Sequence, residues 1–265
     1  MFLKPSINIS QIKKNLKTQV FGSKILVMKK VESTNEMAKH YLKHGEGLII
    51  LADTQTKGKG RSGRSWYSPK RLGIYFSALL RPQTDNLPTL TLMAGVACVL
   101  AIKSFFPHKK PEPFLKWPND ILINGKKLAG ILCESCDEES GWFVIGIGIN
   151  VNHLTTDFPD SLLGKATSLK IETGRAVDKS SLIRSLIINL DQEYSNWLLE
   201  GTPVLAKRWS DHSRMFGHSI TVNRGGSIFH GTAKKIDELG RLVVLTKNGE
   251  EISFSSGEVT LDPLV

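Results

Sequence analysis

The densest run of chemistry-bearing side chains in this 265-residue sequence lies between residues 57 and 71. Lys57, Lys59, Arg61, Arg64, Lys70 and Arg71 are interleaved there with Gly58, Gly60 and Gly63. Glycine lets the backbone approach a ligand closely, and Lys and Arg supply charge-assisted donors to carboxylate and phosphate oxygens. So many cations suit a site that forces two anions together, because like unit charges 4 Å apart repel by ~4 kcal/mol at an effective dielectric near 20. Gly58 to Gly63 also fits GxGxxG, but Arg64-Ser65-Trp66-Tyr67-Ser68-Pro69 follows it without a helical period. The helix N-terminus that a dinucleotide's pyrophosphate requires is therefore not expected. No Gly-Lys-Ser/Thr closes a Walker-type phosphate loop. Cys133 and Cys136 form a CxxC with no second pair, and positions three apart on a strand face opposite sides, so a zinc site is not expected. The seven His residues show no metal-ligand spacing.

Around this loop the periodicities alternate between helix and strand. Lys24 to Met28 and Leu48 to Ala52 read as short apolar strands. Between them a helix opens at Ser33, where Ser33-Thr34-Asn35-Glu36 has the capping-box pattern, and Met37, Ala38, Tyr41 and Leu42 fall on its buried face. After the polar loop from Asp53 to about Lys70, Gly73 to Leu80 reads as a strand, and Leu90, Met93, Val96, Ala97, Leu100 and Ala101 recur with a helical period. Further strands are predicted over 114–116, 121–123, 128–134 and 142–149, with Asn124-Gly125 as a hairpin turn. Helices are predicted over 181–199 and 204–209. Beyond Gly217, β runs at 220–222, 227–232, 242–246 and 251–254 alternate with Gly-rich turns, the texture of a small β-barrel. The expected fold is α+β: a central mixed or antiparallel sheet with flanking helices over residues 1–215, then a small C-terminal β-barrel over 216–265.

Composition narrows the class. Hydrophobic residues make up 40% and charged residues 23%, which fits a soluble globular chain and excludes a disordered or fibrous one. Three cysteines argue against a secreted disulfide scaffold and for a reducing, cytoplasmic setting. Met1 to Pro5 and the lysines at 13, 14 and 17 are followed by no apolar run, so no secretory leader is expected, and the apolar stretch from Leu87 to Ile102 is too short to span a bilayer. The net charge of +10 is uneven, with 22 basic and 7 acidic residues up to position 130 and 13 and 18 after it. A basic half is compatible with phosphorylated ligands, an acidic partner or nucleic acid.

Four ordered motifs then identify the chain by resemblance. Gln55 to Pro69 resembles the ligand loop of biotin protein ligases, with Lys59-Gly60-Arg61 where many relatives carry Arg-Gly-Arg; Lys keeps the charge and loses the bidentate fork. Glu32-Ser33-Thr34-Asn35 resembles the family's early motif, Lys116-Trp117-Pro118-Asn119-Asp120-Ile121 with Lys127 to Glu134 its second block, and Gly146 to Asn152 its third. The likeness runs over about residues 24–260. Only about 22 residues precede the first predicted strand, which leads us to expect the ligase-only form, without a DNA-binding helix-turn-helix.

The resemblance implies ATP-dependent attachment of biotin to a lysine of the biotin carboxyl carrier protein of acetyl-CoA carboxylase, through biotinyl-5′-adenylate, with Mg2+ accompanying ATP and no protein side chain assigned to it. It implies that Ser33, Thr34, Asn35 and Gln55 meet the ureido ring, and that Lys59, Gly60, Arg61, Lys127 and Gly130 meet the biotin tail. Arg61, Arg64, Trp66, Lys116, Asn119 and Asn150 are the implied nucleotide residues. Lys127, Arg61 and Asp120 are the implied catalytic groups, with Lys127 bridging carboxylate and α-phosphate and Asp120 orienting the incoming lysine. Neither DNA nor a membrane is an expected partner. Two alternatives are a lipoyl or octanoyl transfer enzyme of related fold and a non-catalytic, biotin-sensing nucleic-acid-binding protein, which would bind DNA with strong salt dependence.

Overall fold

The computed structural model describes residues 7–82, 87–106, 112–136 and 141–261. The expectation about Met1 to Pro5 lies outside these residues. In chain order the first unit contains α1 (Ile9–Lys13), β1 (Ile25–Met28), α2 (Thr34–Lys39), β2 (Ile49–Ala52), β3 (Gly73–Leu80), α3 (Leu87–Lys103), β4 (Phe114–Lys116), β5 (Asp120–Ile123), β6 (Lys126–Ser135), β7 (Phe143–Asn150), α4 (Leu169–Thr173) and α5 (Lys179–Asp211). Its seven strands lie in the order β1-β2-β3-β7-β6-β5-β4. The β1–β2 pair is parallel and every other neighbour is antiparallel, so the expected mixed sheet is present.

The two faces of this sheet are chemically different, and the period-two pattern of the strands makes them so. Ile74, Phe76, Ala78 and Leu80 of β3, Ile145, Ile147 and Ile149 of β7, and Ala129 and Ile131 of β6 enter the main core with α3 and α5. Each fully buried aliphatic side chain contributes ~1.5–3 kcal/mol. The alternate residues, Tyr75 and Ser77 on β3, Gly146, Gly148 and Asn150 on β7, and Gly130, Leu132 and Glu134 on β6, face the other way. On that side a smaller cluster of Ala38, Leu48, Ile50, Leu79 and Val144, joined by Met37, Tyr41 and Leu42, seats α2. The face beyond it is left small and polar.

Helix α3 is buried almost all round rather than along one stripe, since it lies between the sheet and α5. The two helices expected over 181–209 are one assignment, α5, broken at Gly201 (φ 78°, ψ −179°) just before Pro203, which has no N–H to continue the ladder. Asn124 and Gly125 both take positive φ (51° and 71°), as the turn between β5 and β6 requires. α1, α4 and the last strand have no counterpart in the sequence reading; five residues are too few to show a helical period. The C-terminal unit consists of β8 (Ser219–Arg224), β9 (Ser227–Ile236), β10 (Leu242–Thr246), β11 (Glu251–Phe254) and β12 (Glu258–Leu261), ordered β11-β10-β9-β8-β12 and antiparallel throughout.

Candidate active site

The polar face of the sheet, the start of α2 and the 53–70 loop enclose a cavity of about 450 Å³. Every residue assigned by sequence lines it: Ser33, Thr34, Asn35, Gln55, Lys59, Gly60, Arg61, Arg64, Trp66, Lys116, Asn119, Asp120, Lys127, Gly130 and Asn150. Tyr75, Gly146, Gly148, Leu162, Lys165 and Ala166 also line it and were not picked out as site residues by sequence. The glycine alternation in Gly146-Ile147-Gly148 was the available signal. Nothing in the sequence of 162–166 marked that segment.

The glycines make the room. A Cβ at Gly146 would overlap the Asn35 amide, and one at Gly148 would overlap the Trp66 indole. A Cβ at Gly130 would come within 3.1 Å of Trp66 and 3.2 Å of Lys127 Cε. Bare backbone on β6 and β7 thus lets Asn35 and Trp66 lie close against the sheet. At the closed end, Thr34 N–H donates to Gln55 Oε1 (2.8 Å), Ser77 Oγ lies 2.8 Å from Thr34 Oγ1 and 2.6 Å from Asn35 Oδ1, and Gln55 Nε2 donates to Ser68 Oγ (2.9 Å). Ser33 stands at the N-cap of α2, but its side chain makes no capping hydrogen bond, so the capping-box expectation fails and the hydroxyl stays with the cavity lining.

The 53–70 loop closes one side. Trp66 N–H donates to Gly58 O (2.8 Å) and Gly60 N–H to Arg64 O (2.7 Å), drawing residues 58–66 into a narrow ribbon. Its tip is a single 3-10 turn, Arg61–Gly63, with Ser62 and Gly63 at φ 53° and 74°. The next regular element after this turn is β3, not an α-helix. Arg61 points inward, 3.4 Å from Asn119 Oδ1, and burial pushes its affinity for a proton down while Asp120 partly restores it. Arg64 instead reaches Glu258 of β12 (2.6 Å), tying the loop to the C-terminal unit. Lys59 is bonded to Glu36 of α2 (2.7 Å), and this bond is the main reason the Glu36 carboxyl sits below its usual range.

Across the cavity, the β4–β5 hairpin places Lys116 opposite Asp120. Burial lowers the Lys116 ammonium pKa, with Asp120 opposing the shift. Lys127 is aimed by a β-bulge. Leu122 pairs with Lys127 and Ile121 with Ala129, so Leu128 is the extra residue. Lys127 N–H donates to Lys165 O (2.8 Å) and its carbonyl accepts from Thr167 N–H (3.0 Å), which clamps the bulge. The Lys127 ammonium lies 2.6 Å from Asp120 Oδ1 and 5.5 Å from the centroid of the Trp66 ring. Among the described residues, that oxygen is buried and makes an ion pair with no aligned hydrogen bond, and Trp66 Nε1 is buried without a partner. Arg61, Lys116 and Lys127 thus surround a space with a single lining carboxylate among the described residues, Asp120. Such a site favours anionic substrates and stabilises charge that grows on their oxygens.

Elsewhere, Cys133 and Cys136 form no disulfide among the described residues, and burial pushes Cys133 up to about 12. Among the described residues no group of three or more His, Cys, Asp or Glu side chains is arranged to hold a metal ion, and no helix is long and apolar enough to cross a membrane.

Comparison with known proteins bears on this arrangement. Residues 27–152 match the biotin/lipoate A/B protein ligase family, and residues 215–262 match the biotin protein ligase C-terminal domain. The chain is 35% identical over 253 residues to the bifunctional ligase/repressor BirA of Bacillus spizizenii, covering 93% of this chain and 77% of that one. It is 33% identical over 220 residues to the biotin–[acetyl-CoA-carboxylase] ligase of Mycobacterium tuberculosis, covering 81% and 79%. Among solved structures it is similar to the Aquifex aeolicus biotin protein ligase in complex with biotin and ATP, with a TM-score of 0.81 and 28% identity over 91% of this chain and all of that one.

Proposed function

That this chain belongs to the biotin protein ligase family is the premise from which we infer its reaction: ATP-dependent ligation of biotin to a protein lysine through biotinyl-5′-AMP. The observation that carries the site assignment is the single cavity that Arg61, Lys116 and Lys127 share with the Thr34–Asn35–Gln55 cluster. A carboxylate is a poor electrophile and must first be activated. One biotin carboxylate oxygen attacks the α-phosphorus of ATP, the bond to the β-phosphate oxygen breaks, and pyrophosphate leaves. The acceptor amine then attacks the acyl carbon and AMP departs with that oxygen.

In this reading Ser33, Thr34, Asn35 and Gln55 bind the ureido ring, and Lys59, Gly60, Arg61, Lys127 and Gly130 flank the tail. Trp66 offers its ring face to adenine, while Arg64, Lys116, Asn119 and Asn150 serve the ribose and phosphates. Lys127 leaves Asp120 for the two anions as they meet, which frees the Asp120 carboxylate to receive the acceptor lysine's proton. The donor set fits a divalent ion that arrives with ATP rather than a resident one, since Asp120 is the only lining carboxylate among the described residues and Mg2+ typically takes one or two carboxylates plus phosphate oxygens. Such an ion would offset phosphate charge. The acceptor is assigned as the carrier protein of acetyl-CoA carboxylase, the setting as the cytoplasm, where thiols such as Cys98, Cys133 and Cys136 stay reduced, and the unit boundary as 215/216.

The test is incubation with biotin, Mg·ATP and a carboxyl carrier domain, followed by mass analysis of the acceptor. Gain of one biotinyl group at one lysine supports the reading. Transfer of lipoate or an octanoyl group but not biotin overturns it.

A further inference from the structure

Lys127 lies beyond the end of the β6–β7 pairing, which starts at Ala129 and Ile149. Residues 165–167 take the place of β7 there, with Lys127 and Ala166 forming a parallel bridge. The two main-chain hydrogen bonds of this bridge, to Lys165 O and from Thr167 N–H, fix the backbone from which the ammonium projects. Residues 165–167 belong to no helix or longer strand, so the clamp is only as rigid as the groups that hold them.

One carboxylate, Glu172 of α4, holds both sides of the bulge. Thr167 Oγ1 lies 2.5 Å from Glu172 Oε1, and Asn124 Nδ2 lies 2.8 Å from Glu172 Oε2. A carboxylate only accepts, so the hydroxyl and the amide both donate to it. Asn124 opens the turn from β5 into β6, three residues before Lys127, and Thr167 closes the clamp on the other side. Removing the carboxylate strands the Thr167 hydroxyl, because Thr167 is buried. The support is itself seated against the chain leaving β7: Lys170 N–H donates to Val151 O (2.8 Å) and Ser168 Oγ to His153 O (2.7 Å). Neither Glu172, Thr167 nor Asn124 lines the cavity, so none of them is placed to touch a substrate.

We propose that Glu172 is a positioning residue for Lys127: by bracing the β5–β6 turn against residues 165–167, it holds the bulge that carries the ammonium to the reacting anions. This rests on the ligase reading above. Without the brace the turn and the segment move independently, and a displacement of ~1 Å at a reacting centre can cost ~10²-fold in rate. The loss falls on kcat more than on KM, because the ammonium acts most strongly on charge that grows in the transition state.

The experiment measures pyrophosphate release from ATP and biotin by the wild-type protein, Glu172→Ala, Glu172→Gln, Lys127→Ala and the Glu172→Ala/Lys127→Ala double variant, each checked by circular dichroism. Glu172→Ala should lower kcat by ~10-fold or more and shift the KM of either substrate by less than ~3-fold. Glu172→Gln should recover most of the rate, since its carbonyl accepts from Thr167 and its NH2 meets Asn124 Oδ1 once that amide turns over. In the Lys127→Ala background, Glu172→Ala should cost no more than ~2-fold, because the group it positions is gone. A merely structural brace would cost the same in both backgrounds. If Glu172→Ala does not fold, Asn124→Gly, which suits the positive φ and deletes one arm of the brace, should lower kcat by ~3-fold or more, again only where Lys127 is present. A kcat for folded Glu172→Ala within ~2-fold of wild type, equal losses in both backgrounds, or Gln as damaging as Ala overturns the proposal and leaves the ligase reading intact. Absence of biotin-dependent pyrophosphate release by the wild-type protein overturns both.

Discussion

In the proposed reaction, replacing Lys127 by Ala removes the cation assigned to touch both reacting anions. Its ammonium now sits 2.6 Å from Asp120 with 36% of the side chain exposed, so it is neither locked in the core nor freely solvated. At ~4 Å from one substrate oxyanion and an effective dielectric near 20, it contributes ~4 kcal/mol, and partial solvent screening lowers this to ~3 kcal/mol. That is ~10²-fold in the rate of adenylate formation, in line with losses of ~10²–10³-fold when one preorganised donor to a developing charge is deleted. The assay is pyrophosphate release from ATP and biotin without acceptor, at saturating concentrations of both. The main-chain clamp from Lys165 and Thr167 does not use the Lys127 side chain, so circular dichroism should match wild type. A folded Lys127→Ala protein releasing pyrophosphate within about fivefold of wild type would refute the reasoning.

Three further perturbations test other parts of the site. Gly148→Ala puts a methyl group into the Trp66 indole and should raise the ATP KM by ~10-fold or more, with a smaller effect on biotin affinity; equal effects on both ligands would mean that Trp66 is not a nucleotide contact. Glu258→Gln breaks an exposed pair with Arg64, worth ~0–1 kcal/mol, so Tm should fall by no more than ~3 °C while the pyrophosphate-release rate changes because Arg64 is released; a large Tm drop would make the contact structural. His153 is fully buried with neither ring nitrogen bonded, and burial pushes it down to about 4 from 6.5. The unfolded chain therefore takes up its proton first, and stability is lost as pH falls from about 6.5 towards 4, up to ~3 kcal/mol. Urea midpoints at pH ~7.5 and ~5 should separate less in His153→Phe than in wild type, and equal separations would sink the assignment.

Most of the scaffold was legible because its strands carry strong period-two or continuous apolar patterns. β3 and β4 were read to the residue, and the Asn124-Gly125 turn appears with the positive φ values its residue types predict. α1 and α4 were not legible, since five residues hold no usable helical period, and β12 (Glu258–Leu261) was not picked out. The cavity lining could be read from four motifs, but its mechanics could not. The bulge that aims Lys127 arises from a register shift that depends on the paired strand and on the carbonyl of Lys165, about forty residues away. Ser77 lies within an apolar strand, and only its register against β2 and β7 shows that it faces Thr34 and Asn35. Ser33 has the residue type and spacing of a helix cap, yet its hydroxyl makes no capping bond, because residue type alone does not decide between two local uses of one side chain.

The central claim is that the cavity joins the biotin carboxylate to the α-phosphate of ATP, and the oxygen that crosses between them can be followed. With biotin labelled by 18O in its carboxylate, and ATP and acceptor present, AMP should gain one labelled oxygen per biotin transferred. Label in inorganic phosphate, or unlabelled AMP alongside biotinylated acceptor, would contradict it.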